Sequence, residues 1–117
     1  MFMNQTSSQT SLSFEDALQT IIRELSPEKI ILFGSRARND SRTDSDYDLM
    51  LICNSLENPL KLAAKALFVA RPRRFALDIA VLTPSEFETS LLEKNDFVWQ
   101  AMQHSKVVYE KTNQSLA

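Results

Sequence analysis

A single glycine, a single cysteine, four prolines and no long apolar run set the limits of this 117-residue chain. One cysteine, Cys53, excludes an intrachain disulfide, and no companion thiolates or imidazoles stand at metal-ligand spacing around it, so a reducing compartment fits. No stretch approaches the roughly 20 apolar residues of a membrane span. Met1 to Leu12 is rich in Ser, Thr and Gln without the charged start and apolar centre of an export signal, and a cytoplasmic protein is expected. Neither sign of charge dominates. Thirteen basic residues against fifteen acidic ones leave a net charge of −2, so stable binding to a long nucleic acid is not expected, although local basic patches remain open.

What is present is ordinary in amount and specific in placement. An apolar content of 44% and a charged content of 24% are those of a soluble globular domain, and the length suits one. The expected organisation is a flexible N-terminal tail over 1–12, one domain over 13–110 and a flexible C-terminal tail over 111–117. Ser13 caps a helix from Phe14 to about Leu25, which Ser26-Pro27 ends. Strands follow at Lys29–Phe33 and Tyr47–Cys53. Asn58-Pro59 opens a second helix, Leu60 to about Ala70, with Leu60, Ala63, Ala64, Leu67 and Phe68 as its apolar stripe. Phe75 to Leu82 reads as a buried strand. Thr83-Pro84-Ser85-Glu86 is a capping box for a further helix, which breaks near Asn95-Asp96 and resumes through Phe97, Val98, Ala101 and Met102 before a short last strand at Val107–Glu110. The order predicts an α+β (mixed α/β) domain, a mixed β-sheet with helices packed mainly on one side.

The one glycine, Gly34, ends the apolar run Ile30–Phe33 and precedes Ser35. A Gly-Ser pair leaving a strand lets backbone N–H groups approach a phosphate, because no Cβ intervenes and the hydroxyl adds a donor. Ten residues separate Ser35 from Asp46, which with Asp48 opens the next apolar run. On a strand of period two these carboxylates leave the same face. Side by side they repel each other unless a cation neutralises them, and magnesium, held by one or two carboxylates plus substrate phosphates, suits such a pair. Asp78, set in an otherwise apolar strand, completes a three-carboxylate cluster able to hold two ions if its strand lies beside the other. Taken alone, Gly34-Ser35 fits an ordinary turn with Ser35 capping a helical stretch, and Asp-x-Asp fits a surface strand. Their conjunction with Asp78 favours a nucleoside triphosphate site.

The sequence Gly34-Ser35-Arg36-Ala37-Arg38, the ten-residue gap, Ser45-Asp46-Tyr47-Asp48-Leu49 and the strand with Asp78 resemble the minimal nucleotidyltransferases of the DNA polymerase β superfamily. Asn39 stands where members often carry glycine. The resemblance implies the small nucleotidyltransferase fold, two Mg²⁺ ions on Asp46, Asp48 and Asp78, and ATP as substrate on Gly34 and Ser35. Arg36 and Ser45 join these as nucleotide-binding candidates. Arg38 fits either triphosphate or partner acids, and Arg71, Arg73 and Arg74 read as a solvated connection. Cys53 reads as a small core residue, Tyr47, Phe97 and Trp99 as packing, and His104 as a surface or capping residue.

Such proteins are often the antitoxin of a pair with a HEPN-type ribonuclease toxin, which they neutralise by adenylylation. The resemblance therefore implies AMP transfer from ATP to a hydroxyl of a HEPN-type toxin, in a possible hetero-oligomer away from membranes. The alternatives are a non-catalytic antitoxin that blocks its toxin by contact and, further off, transfer to an RNA or small-molecule acceptor.

Overall fold

The computed structural model describes residues 10–38, 46–94 and 97–112. Nine elements alternate along them: α1 (Phe14–Leu25), β1 (Lys29–Phe33), α2 (Ser35–Arg38), β2 (Tyr47–Ile52), α3 (Pro59–Val69), β3 (Leu77–Leu82), α4 (Pro84–Leu92), α5 (Phe97–Met102) and β4 (Lys106–Glu110). The strands form one sheet in the order β3-β2-β1-β4. β1 pairs antiparallel with β2 and β4, and β2 pairs parallel with β3 after the α3 crossover. This is the expected α+β fold with a mixed sheet.

Local chemistry sets the element ends. Ser13 Oγ accepts from the Asp16 N–H at 3.1 Å, and α1 closes where Ser26 turns left-handed at φ 47° and donates its N–H to Ile22 O. Asn58 Oδ1 accepts from Leu60 N–H at 2.7 Å, satisfying one of the free donors at the start of α3. At α4 both halves of the capping box are made: Thr83 Oγ1 accepts from Glu86 N–H, and Glu86 Oε1 accepts from Thr83 N–H.

Strand alternation divides the core. Leu49, Leu51 and Cys53 of the β2 segment join Ile30, Leu32, Ala17, Leu18, Ile21, Leu62 and Ala66 in the larger cluster, under α1 and α3. Met50 and Ile52 join Ile31, Phe87 and Val98 in a smaller cluster under α4 and α5. Burying each large aliphatic side chain contributes about 1.5–3 kcal/mol. Most helical surface thus lies on one side, as expected, with α4 and α5 covering part of the other. Burial also raises the Cys53 thiol above its usual range, with Glu28 adding to it, as suits a core residue rather than a nucleophile.

Three expectations need correction. On α3 the buried stripe is Leu62 and Ala66, continued by Ala70 at the helix's C-terminal cap, while Leu60 and Phe68 are exposed. This helix is apolar nearly all round, and the small Ala66 and Ala70 are the side chains that permit close approach to its neighbours. β3 starts at Leu77, because Phe75 is drawn into an aromatic group with Tyr47 and Phe14. The polar stretch from Gly34 to Ser45 reads from the sequence as a loop, but its described part forms the short helix α2. Residues 39–45, and the expected helix break at Asn95-Asp96, lie outside the described residues. Ser11 and Leu12, at the end of the expected N-terminal tail, are tied to the α3–β3 connection: Arg74 Nε donates to Ser11 Oγ, and Leu12 N–H donates to Pro72 O. Among the described residues no helix is long and apolar enough to cross a membrane.

Candidate active site

Parallel pairing of β2 with β3 sets Asp48 directly opposite Asp78, and antiparallel pairing with β1 sets Phe33 on Asp48's other side. Side chains in register across a sheet share a face. Asp48, Asp78 and Phe33 accordingly line one open cleft of about 300 Å³ together with Ile79, Ala80 and Phe97. It lies where the smaller core cluster stops. Phe97, from the start of α5, meets Phe33 edge to face at 5.6 Å between centroids and forms the far wall.

The carboxylates act on each other. Burial pushes the Asp48 carboxyl above its ordinary value, and the charges of Asp78 and Asp46, with a side-chain hydrogen bond to Asp78, push it further. Asp46 stands one residue before β2, exposed, and its charge is felt at Asp48. Among the described residues no three acidic, imidazole or thiolate side chains converge into a ready-made metal cage. An all-oxygen pair in contact, with a third carboxylate nearby, nevertheless fits magnesium, which relies on few protein ligands and completes its shell with phosphates and water. The donor set suits that ion.

Asp78 differs from its expected setting. It is exposed, because β3 is the edge strand next to β2 and its residues are only partly covered. An apolar sequence around an acid read as burial; the edge position leaves the acid open to a substrate. Phe97 likewise is 58% exposed on the cleft wall, where the sequence implied plain packing.

Gly34 is required twice over. Its φ of +79° lies in the left-handed region, and a Cβ placed on it would collide with Asp48 Oδ2. The glycine therefore admits the carboxylate of Asp48, a constraint the sequence did not reveal. Its carbonyl accepts from Ala37 and Arg38 N–H at 3.1 and 3.2 Å, so Ser35 opens α2 beside the acid cleft. Arg36 places its guanidinium 4.1 Å above the Tyr47 ring. Tyr47 in turn stacks on Phe14 at 4.0 Å, on the face opposite Asp48. Ser45 and Asn39 lie outside the described residues.

A second hollow of about 240 Å³ adjoins the first through Phe33 and Phe97 and is lined by Gly34, Arg38, Gln100, Ala101 and His104. Gln100 and His104 come from α5 and the turn after it. Sequence reading assigned them no such place, because His104 lies in the turn beyond α5, where no helical spacing ties it to Gln100.

The sequence profile of the family described as polymerase beta, nucleotidyltransferase matches residues 15–114. Among solved structures, the crystal structure of a toxin–antitoxin with AMP-PNP is similar at 19% identity and a TM-score of 0.52, over 86% of this chain and 76% of that one. The toxin–antitoxin MntA-HpeT, in a mutant form, is similar at 19% identity and a TM-score of 0.51 over the same shares. At that identity the likeness is one of fold. No curated protein gives a significant match.

Proposed function

This chain belongs to the polymerase beta nucleotidyltransferase family, and on that premise we propose that it transfers AMP from ATP to a hydroxyl of a partner protein, as the antitoxin of a toxin–antitoxin pair. The observation that carries the reading is the register of Asp48 with Asp78 on one open cleft, with the Asp48 carboxylate seated where Gly34 has no side chain. The toxin–antitoxin neighbours, one of them with AMP-PNP, support the pairing with a toxin and the adenine nucleotide. A HEPN-type ribonuclease is the partner proposed.

Asp46, Asp48 and Asp78 are the residues that would hold two magnesium ions, which when bound neutralise the phosphates and acidify the acceptor hydroxyl. Gly34 and Ser35 hold the β- and γ-phosphates, so that the α-phosphorus faces the acceptor in line. Asp78, open to solvent beside Asp48, takes the acceptor proton. The acceptor oxygen bonds to the α-phosphorus as the bond to the bridging oxygen breaks, and pyrophosphate leaves. No covalent enzyme intermediate is needed. Arg36, stacked on Tyr47, fixes the Gly34-Ser35 turn against β2.

Label position tests the reaction class. With magnesium and the co-purifying partner, ATP labelled at the α-phosphate should label that partner, and γ-labelled ATP should release its label as pyrophosphate. Label from the γ-position on protein would identify a kinase and reject the reading.

A further inference from the structure

We propose that the cleft formed by Phe68, Arg71, Pro72, Arg73 and Phe75 is a docking subsite for the acceptor protein, and that it takes a carboxylate-bearing segment of that protein. What the docked segment is for rests on the transfer reading above. The docking itself does not need nucleotide.

Charge is the first support. Residues 59–77 contain Lys61, Lys65, Arg71, Arg73 and Arg74 and no Asp or Glu, within a chain whose net charge is −2. The basic residues are concentrated where the partner would have to be acidic.

Geometry narrows this patch to a site. The groove is open to solvent and spans about 640 Å³. The Arg71 guanidinium lies 4.2 Å above the Phe68 ring, which holds its fork at the cleft wall. Arg73 donates from Nη1 to Leu67 O at 3.0 Å, while its Nε is buried and has no hydrogen-bond partner among the described residues. A carboxylate is the acceptor that fits a guanidinium edge, and the exposed Arg71 presents one at the groove wall. Arg74 points away, donating to Ser11 Oγ.

The surroundings decide between classes of partner. Leu60 and Phe68 are 81% and 64% exposed and, with Ala64, lie four residues apart along one face of α3; Leu56, fully exposed, precedes them. The aliphatic Leu56, Leu60 and Ala64 beside cations suit a protein surface with apolar and acidic residues, and Phe68, the aromatic on which a base could stack, already carries the Arg71 guanidinium on one face. The first fourteen residues of the chain carry no carboxylate, so they offer these arginines no acidic partner.

Position links docking to chemistry. Tyr47, between Asp46 and Asp48, donates its N–H to Ala76 O at 3.0 Å, and its ring meets Phe75 at 5.2 Å. Phe75 is three residues before Asp78. Phe75 packs on the α1/α3 face of the sheet and the acid cleft lies on the other, with β3 as the edge strand between them, so a partner segment anchored on Arg71 and Arg73 reaches the acid cleft by passing around that edge.

The test uses the full chain and a fluorescent random glutamate–tyrosine copolymer, with a lysine–tyrosine copolymer and oligo(U) RNA as competitors. Anisotropy without nucleotide should show the glutamate–tyrosine probe binding at least about tenfold tighter than either, weakening with salt. Arg71→Glu, at an exposed position, should weaken it by about tenfold or more with an unchanged melting curve. Arg73→Gln should weaken it too, and if that variant unfolds, Arg71→Glu decides. Equal binding of the two copolymers, preference for oligo(U), or unchanged binding by Arg71→Glu would overturn the proposal. Salt-sensitive copolymer binding together with no AMP transfer to the co-purifying partner keeps the docking and rejects the transfer reading. Transfer to the copolymer that Arg71→Glu leaves unchanged does the reverse.

Discussion

β2 presents two faces of opposite character. On one, Tyr47, Leu49 and Leu51 run under α1 and α3, and an aromatic stack closes even the end of the strand. On the other, Met50 and Ile52 are covered by α4 and α5, but Asp48 at the same end is not. The sealed face carries stability. The open one leaves two carboxylates in register, at the edge of a small core, with a glycine cut away to admit one of them. Function sits where packing stops, because only there can charged groups stay solvated enough to wait for a cation and a substrate.

The comparison is broken most severely by removing charge on the open face. Asp48→Asn should reduce transfer by about 10³-fold or more while the domain stays folded, as read by label transfer beside circular dichroism. Asp78→Asn should be comparably damaging, and a variant that kept its rate and changed only in melting temperature would make Asp78 a structural acid. Gly34→Ala joins the two faces' roles: it strains a left-handed residue and drives a methyl into Asp48, so it should cost about 2–4 kcal/mol in urea unfolding and remove activity as well.

Next come paired truncations. Leu51→Ala, fully buried on the sealed face, should cost about 2–5 kcal/mol. Phe97→Ala, half-exposed on the cleft wall, should cost under about 1.5 kcal/mol and instead raise the KM for substrate several-fold. Equal melting losses would erase the distinction.

The smallest expected effect concerns pH. In the folded state the Asp48 carboxyl holds its proton more tightly than at its ordinary value of 3.8, so this group costs stability as pH rises through the interval above that value, and the cost is complete at neutral pH. Asp48→Asn should therefore melt slightly higher than the wild type at neutral pH, and the difference should shrink on acidification toward the ordinary value. A gain that grew on acidification would reverse the sign and remove the repulsion account.

Much of this was legible from residues. Caps at Ser13, Asn58 and Thr83 fixed helix starts because each is a local hydrogen bond. The parity of Asp46, Tyr47 and Asp48 predicted that tyrosine and aspartates would part, and Tyr47 does face the aromatic stack. Strand order was not local. Nothing within Phe75–Leu82 announces that this strand is an edge, so Asp78 read as buried, and nothing within α3 chose Leu62 over Leu60 as its inward side chain. Gly34's second reason for being glycine, the Asp48 carboxylate, depends on a pairing between segments fourteen residues apart. His104 and Gln100 line the Gly34 hollow only because α5 folds back over β1.

Intact-mass analysis of the co-purifying partner tests the central claim most directly. After incubation with ATP and magnesium, the wild-type chain should add one or more AMP masses to that partner, and Asp46→Asn should add none. A partner left unmodified while its toxic activity is still suppressed would contradict the account and establish an antitoxin that acts by contact alone.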